Sequence, residues 1–158
     1  PQGLGLFPHM NVAENILFAD RSNTLTLAEL IEGEHSTTVE NLKIKPLLHR
    51  RPDDLSAVEC QKVALARVMI QKPQLVLLYE PASALDILAR REVRKILAKH
   101  LTQLNIPTVL VTHDFRDVRE LGADMAYLRD GRIQQVGSLE KFKGNSDDEF
   151  LNEFLAQP

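Results

Sequence analysis

The hydrophobic pattern of this chain changes period several times, and the shortest period is the most telling. Leu75-Val76-Leu77-Leu78 and Val109-Leu110-Val111 are uninterrupted apolar runs that end abruptly in polar residues, Tyr79-Glu80-Pro81 after the first and Thr112-His113-Asp114 after the second. Runs of this length read as strands buried on both faces, the kind found in parallel sheets covered by helices. Open sheets of that kind bind ligands at the carboxyl ends of their strands. Glu80 and His113 are therefore expected side by side on the ligand edge, the first as a general base and the second as a group aimed at a reacting centre. Either residue taken singly also reads as an ordinary solvated loop residue after a core strand.

Around and between these strands the period is helical. From Asn11 to about His49, Val12, Ile16, Leu17, Leu25, Leu27, Leu30, Ile31, Leu42, Leu47 and Leu48 form a loose helical pattern that Gly33, Pro46 and Pro52 break into short pieces. Ser56 and Glu59 have the spacing of a capping box. A helix is expected to start at Ser56, to place Val63, Ala66, Arg67 and Ile70 on one face, and to end before Pro73. Asp86 is a plausible N-cap for a second helix with Val93, Ile96, Leu97, Leu101 and Leu104 on its core side. Asn105-Ile106-Pro107 then turns into the strand that delivers His113, and a strand, helix, parallel strand sequence requires a crossover, right-handed in nearly all cases.

Asp114 reads as the cap of a short helix bearing Phe115, Val118 and Leu121 and closed by Gly122. Met125–Leu128 and Arg132–Val136 flank Asp130-Gly131, a strong hairpin signal. Ser146 with Glu149 forms another apparent capping box ahead of Phe150, Leu151, Phe154 and Leu155, a stripe that reads as an internal packing face.

Composition narrows the classes. With 158 residues, 44% hydrophobic and 26% charged, the chain is long enough and apolar enough for one globular core. A net charge of -3 gives no basic excess, which argues against a nucleic-acid partner. The single cysteine, Cys60, cannot close an internal disulfide, fits a reducing compartment and reads as a small packing residue. No apolar run approaches the roughly 18 residues of a membrane span, so action at a membrane would go through a partner.

Taken together, Gln2 ahead of Leu6-Phe7-Pro8-His9-Met10, Leu55 to Glu59, Leu75 to Glu80, Ser83 to Asp86 and His113 occur in an order and spacing that resembles the ATP-binding subunit of ABC transporters along the whole chain. The resemblance places the glutamine loop at Gln2, the signature loop at Leu55 to Glu59, the Walker B strand at Leu75 to Glu80, the D-loop at Ser83 to Asp86 and the switch histidine at His113. It implies an α/β fold, the C-terminal part of a P-loop NTPase (RecA-like) parallel sheet with helices on both faces, plus a small helical subdomain. Residues of about 11–72 would be that subdomain with the signature helix, 73–137 the core strands and helices, and 138–158 a C-terminal helical tail.

By the same resemblance, ATP and Mg²⁺ are the expected cofactors. Glu80 and His113 would be catalytic, with Gln2, Ser56, Ala57, Val58, Glu59 and Asp86 binding nucleotide and Gln2 also sensing the metal. The expected partners are a transmembrane permease, docked through the Leu6–Met10 loop and the helical subdomain, and a second nucleotide-binding domain in a dimer. The expected location is cytoplasmic, peripheral on the inner face of the cell membrane. For the Leu6–Met10 loop itself, a docking tip and a buried segment are equally good readings of the residues.

Three departures qualify that expectation. No G-x-x-x-x-G-K-[ST] phosphate loop occurs in these residues, and the chain starts at Pro1 rather than Met, so it reads as a piece whose phosphate loop would precede Gln2 and which, alone, would neither bind ATP tightly nor hydrolyse it. Ala57 and Val58 stand where the family has two glycines, and side chains there obstruct close backbone approach to a phosphate. Tyr79 replaces the Walker B aspartate, putting an uncharged phenol where Mg²⁺ would want a charged oxygen. Two functions follow from the resemblance: an ATP-hydrolysing subunit that powers import of a small solute, or a catalytically impaired relative serving as a structural or regulatory partner. A DNA-repair or chromosome-maintenance ATPase sharing the same signature and D-loop is opposed by the absence of coiled-coil heptads and by the Leu6–Met10 loop.

Overall fold

The computed structural model describes residues 4–83, 85–143 and 148–156. The described residues form two compact units, one within Pro1–Leu77 and Pro81–Val109, the other within Leu78–Glu80 and Leu110–Pro158.

The first unit is mostly helical. Helices α1 (Val12–Leu17), α2 (Leu27–Glu32) and α3 (Ser36–Asn41) are each only six residues long, too short to persist alone in water. Local signals set their starts: Asn11 with Glu14 and Thr26 with Glu29 are complete capping boxes, and Gly33 ends α2. Two single 3₁₀ turns, Lys45–Leu47 and Pro52–Asp54, carry the prolines that break the helical pattern. Helix α4 (Ala57–Ile70) is capped by Ser56 as its sequence predicts. It packs against α1, α3 and, further on, α5 (Ile87–Leu104).

Val63, Ala66 and Ile70 of α4 are buried as expected, together with Leu65, and so are Val93, Leu97 and Leu101 of α5. Burying each such aliphatic side chain stabilises the unit by roughly 1.5–3 kcal/mol. The length of α5 is fixed by Asp86, which accepts the Leu88 and Ala89 N–H groups, and by Asn105, which closes it in the left-handed conformation at φ 48°.

Strands β1 (Val76–Tyr79) and β2 (Thr108–Val111) pair with each other. Their pairing is parallel: Val76 N–H donates to Pro107 C=O in the first unit at 3.0 Å, and Glu80 N–H to Val111 C=O in the second at 2.8 Å, a constant register. The continuous burial expected of these strands is not found. Exposure alternates along them, and Leu77 and Tyr79 are 70% and 79% exposed and Val109 and Val111 53% and 48%. A run of apolar residues is a strand signal on either count, and which faces are covered depends on neighbours that the run itself does not encode.

The second unit continues with α6 (Phe115–Leu121), the hairpin β3 (Met125–Arg129) and β4 (Arg132–Gly137), α7 (Leu139–Phe142) and α8 (Glu149–Leu155). Asp130 and Gly131 turn the hairpin at φ 50° and 72°, the primed geometry that twisted strands favour. The register shifts between Tyr127 and Leu128, a bulge that re-aims the strand ends. Phe115, Met125, Phe142, Leu151 and Phe154 form the core, with Tyr127, Val118, Leu139 and Leu155 packed on it.

The tail stripe is thus an internal packing face, except that Phe150 lies 54% exposed with its ring stacked on Tyr127. The start of α8 differs from the expected capping box. Ser146 lies outside the described residues, and the cap is Asp148, whose carboxylate takes the Leu151 N–H at 3.1 Å, the Tyr127 hydroxyl at 2.9 Å and the Arg129 guanidinium. Those cross-element donors tie the cap of α8 to the β3 strand. Among the described residues no helix is long and apolar enough to cross a membrane.

Candidate functional site

The end of β1 is one of several places where a non-glycine residue holds a positive φ, Lys43 and Lys72 being others. Glu80 has φ 44°, a left-handed conformation that costs an L-residue roughly 1–2 kcal/mol. Its N–H is held by the Val111 carbonyl, so the bend is pinned by the neighbouring strand, and the carboxylate is thrown sideways over the end of β2. There Oε1 of Glu80 lies 2.9 Å from Nδ1 of His113, with the Glu80 side chain 30% exposed and the imidazole 63%. A carboxylate only accepts, so Nδ1 donates and carries the proton. The outer nitrogen Nε2 is left as the atom offered to a ligand. Both side chains are accessible enough to meet a substrate.

Next to this pair, Tyr79 projects to solvent at 79% exposure. Its phenol brings no charge to the strand end, and among the described residues no cluster of three or more His, Cys, Asp or Glu side chains is placed to hold a metal ion. Gln2, the other expected metal contact, lies outside the described residues.

The signature residues form a different kind of arrangement. Ser56 N–H donates to Glu59 Oε2 at 2.7 Å, its hydroxyl donates to the same oxygen at 2.8 Å and accepts the Glu59 N–H at 3.3 Å. Those bonds from Ser56, backbone first and hydroxyl second, hold the Glu59 carboxyl below the usual carboxylate range. Ala57 and Val58 sit in the first turn of α4, the former exposed and the latter half-buried. Asp86 is engaged with its own helix through Leu88 and Ala89 at 2.9 and 3.0 Å. The structure therefore brings Glu80 and His113 together, while Ser56, Glu59 and Asp86 are each satisfied locally.

Residues 6–10 are neither a free tip nor a core segment. Leu6, Phe7 and Met10 are half-buried and Pro8 and His9 exposed. The Phe7 ring packs edge-on against Phe18 at 4.8 Å and lies under the Arg67 guanidinium at 5.3 Å, and Arg67 also donates to the Gly5 carbonyl. Asn15, fully buried, accepts the Phe7 N–H at 2.8 Å and donates to the Phe7, Met10 and Asn11 carbonyls. Sequence reasoning missed Asn15. Its signal was an amide on the apolar face of α1, where an unpaired polar group would be costly.

The ABC transporter family model matches residues 1–83. A Fe(3+) ions import ATP-binding protein of Mesorhizobium japonicum is 38% identical over 151 residues, 95% of this chain and 41% of that protein. A spermidine/putrescine import ATP-binding protein of Borrelia garinii subsp. bavariensis is 35% identical over 156 residues, 99% of this chain and 45% of that protein. A trehalose/maltose import ATP-binding protein of Thermococcus litoralis is 35% identical over 157 residues, again 99% of this chain and 42% of its own length. The chain spans less than half the length of these curated relatives. A solved ATP-binding cassette, a dimer in a post-hydrolysis state bound to ADP and Pi, shares the fold with a TM-score of 0.67 at 24% identity, over 88% of this chain and 61% of that one.

Proposed function

Since the chain belongs to the ABC transporter family, we propose that it is part of an ATP-hydrolysing subunit that drives import of a small solute. The observation that carries this reading is the Glu80–His113 pair at 2.9 Å on the carboxyl ends of two parallel strands. Glu80 polarises the attacking water through its carboxylate, and His113 presents Nε2 to the terminal phosphate. Within the first turn of α4, the Ala57 and Val58 N–H groups are the ones a helix N-terminus could offer to a nucleotide held by a second copy, since those of Ser56 and Glu59 are spent in the capping box. Asp86 would lie at the same contact. Ile87 and Leu88, 77% and 79% exposed beside it, support such self-association. Pro8 and His9, held outward by Asn15 and Arg67, support a permease contact through this loop on the inner face of a membrane. Bound Mg²⁺ would supply charge neutralisation at the phosphates.

Steady-state phosphate release from Mg-ATP by the full-length protein tests this reading. Turnover that Glu80→Gln abolishes, with nucleotide-driven self-association retained, supports it. A second reading, an impaired relative that binds partners without turning over, is favoured by Tyr79 and by the side chains of Ala57 and Val58 in the first turn of α4. Absence of turnover in the full-length protein would select it.

A further inference from the structure

We infer that Thr112 and Asp117 are positioning residues that fix the presentation of His113 to Glu80, an inference that rests on the reading of those two as a reactive pair. The imidazole is 63% exposed, so packing alone does not orient it. Its backbone does. The Thr112 hydroxyl accepts the Asp114 N–H at 3.1 Å, spanning His113, and donates to Asp117 Oδ2 at 2.5 Å. Both flanks of His113 are thereby tied to the first turn of α6.

The arrangement is a capping box with one part exchanged. Asp114 is the N-cap and Asp117 occupies the third helical position, from which a glutamate would reach the N-cap N–H directly. Here the Thr112 hydroxyl bridges the Asp114 N–H and the Asp117 carboxylate, drawing the residue before His113 into the cap of the helix after it. Capping itself does not require this. Asp114 already accepts the Arg116 N–H at 2.9 Å and is clamped by the Arg116 guanidinium at 2.9 and 3.0 Å. Asp114 and Asp117 are both 7% exposed, and carboxylates so enclosed hold one geometry because leaving their hydrogen bonds is costly.

The test uses the full-length protein with ¹⁵N-labelled histidine, reading the His113 ring nitrogens by NMR, with Glu80→Gln as the reference for a broken pair. Thr112→Val, isosteric but without the hydroxyl, is expected to move the His113 Nδ1 signal toward the Glu80→Gln position. Thr112→Ser, which keeps the hydroxyl, should restore it. Turnover in Thr112→Val should fall about tenfold or more with KM for ATP unchanged, since only orientation at the reacting group is lost. Asp117→Asn, which keeps an acceptor oxygen, should leave the Nδ1 signal near wild type. If Thr112→Val lowers the melting temperature but leaves the His113 signals in place, the network is a helix cap and nothing more. If the signals move as expected in a wild-type background that releases no phosphate, the positioning stands and the hydrolysis reading fails.

Discussion

At the start of α4, Ser56 and Glu59 satisfy each other; at the end of β1, Glu80 turns away from its own backbone to face His113. Both spots belong to stretches that resemble nucleotide-binding motifs, and they have diverged in opposite ways. The helix start has kept the residues that build structure and carries Ala57 and Val58 where phosphate would want bare backbone. On the proposed reading, the strand end carries the reactive pair, with Tyr79 where a carboxylate would order a metal. A capping box is a closed set of hydrogen bonds that survives change at the positions between its ends. Glu80 holds φ 44°, as Lys43 and Lys72 hold 55° and 45°, so what distinguishes the strand end is the pairing with His113 and not the backbone angle.

The sharpest way to break this contrast is His113→Ala. The side chain is largely exposed, so the fold should tolerate its loss, while phosphate release by the full-length protein should fall by about 10²-fold or more. Equal losses from His113→Ala and Ser56→Ala would show that the two regions do not differ in kind. Next in size is Tyr79→Asp. Returning a carboxylate to the strand end should raise turnover several-fold, because Mg²⁺ is held by charged oxygens. Brisk turnover with Tyr79 in place, unchanged by the substitution, would remove this position from the account of impairment.

What could be read in the sequence divides along the same line. The caps at Ser56, Asp86 and Asp114 and the turn at Asp130-Gly131 were legible because each is settled by hydrogen bonds or dihedral preferences within a few residues. The juxtaposition of Glu80 with His113 was legible from strand order alone. Burial of Leu77, Val109 and Val111 was not, since it depends on what lies over each face. Nor were His100 and Arg94, which a helical period cannot distinguish from surface residues yet which are 1% and 8% exposed. The cap of α8 at Asp148 was not legible either, since it takes contacts from Tyr127 and Arg129 on a different element.

A third prediction trades structure against chemistry within one turn. Ala57→Gly with Val58→Gly should destabilise the first unit by about 1–2 kcal/mol, through helix propensity and the loss of a half-buried side chain. The same change should strengthen ATP-dependent self-association by reopening the backbone. Chemical denaturation reads the first effect and light scattering with and without Mg-ATP the second. A stability loss with no gain in association would mean that these side chains do not obstruct a ligand. Ser56→Ala is expected to cost about 1 kcal/mol through the lost cap, visible as a lower denaturation midpoint.

The smallest effect is the pH dependence of that cap. Glu59 is held below its ordinary range by the Ser56 N–H and hydroxyl, so its folded value lies beneath its unfolded one. The unfolded chain then binds the proton more readily, and stability rises with pH across the interval between the two values. The contribution of the Glu59 charge is fully present above the unfolded value of about 4.3 and is lost as pH falls through the lowered folded value. Glu59→Gln keeps a side chain able to close the capping box but removes the charge. It should therefore melt slightly below wild type at neutral pH and converge with it in the acid range. A difference that stays constant, or widens, as the solution is acidified would show that the carboxylate charge contributes nothing specific at the start of α4.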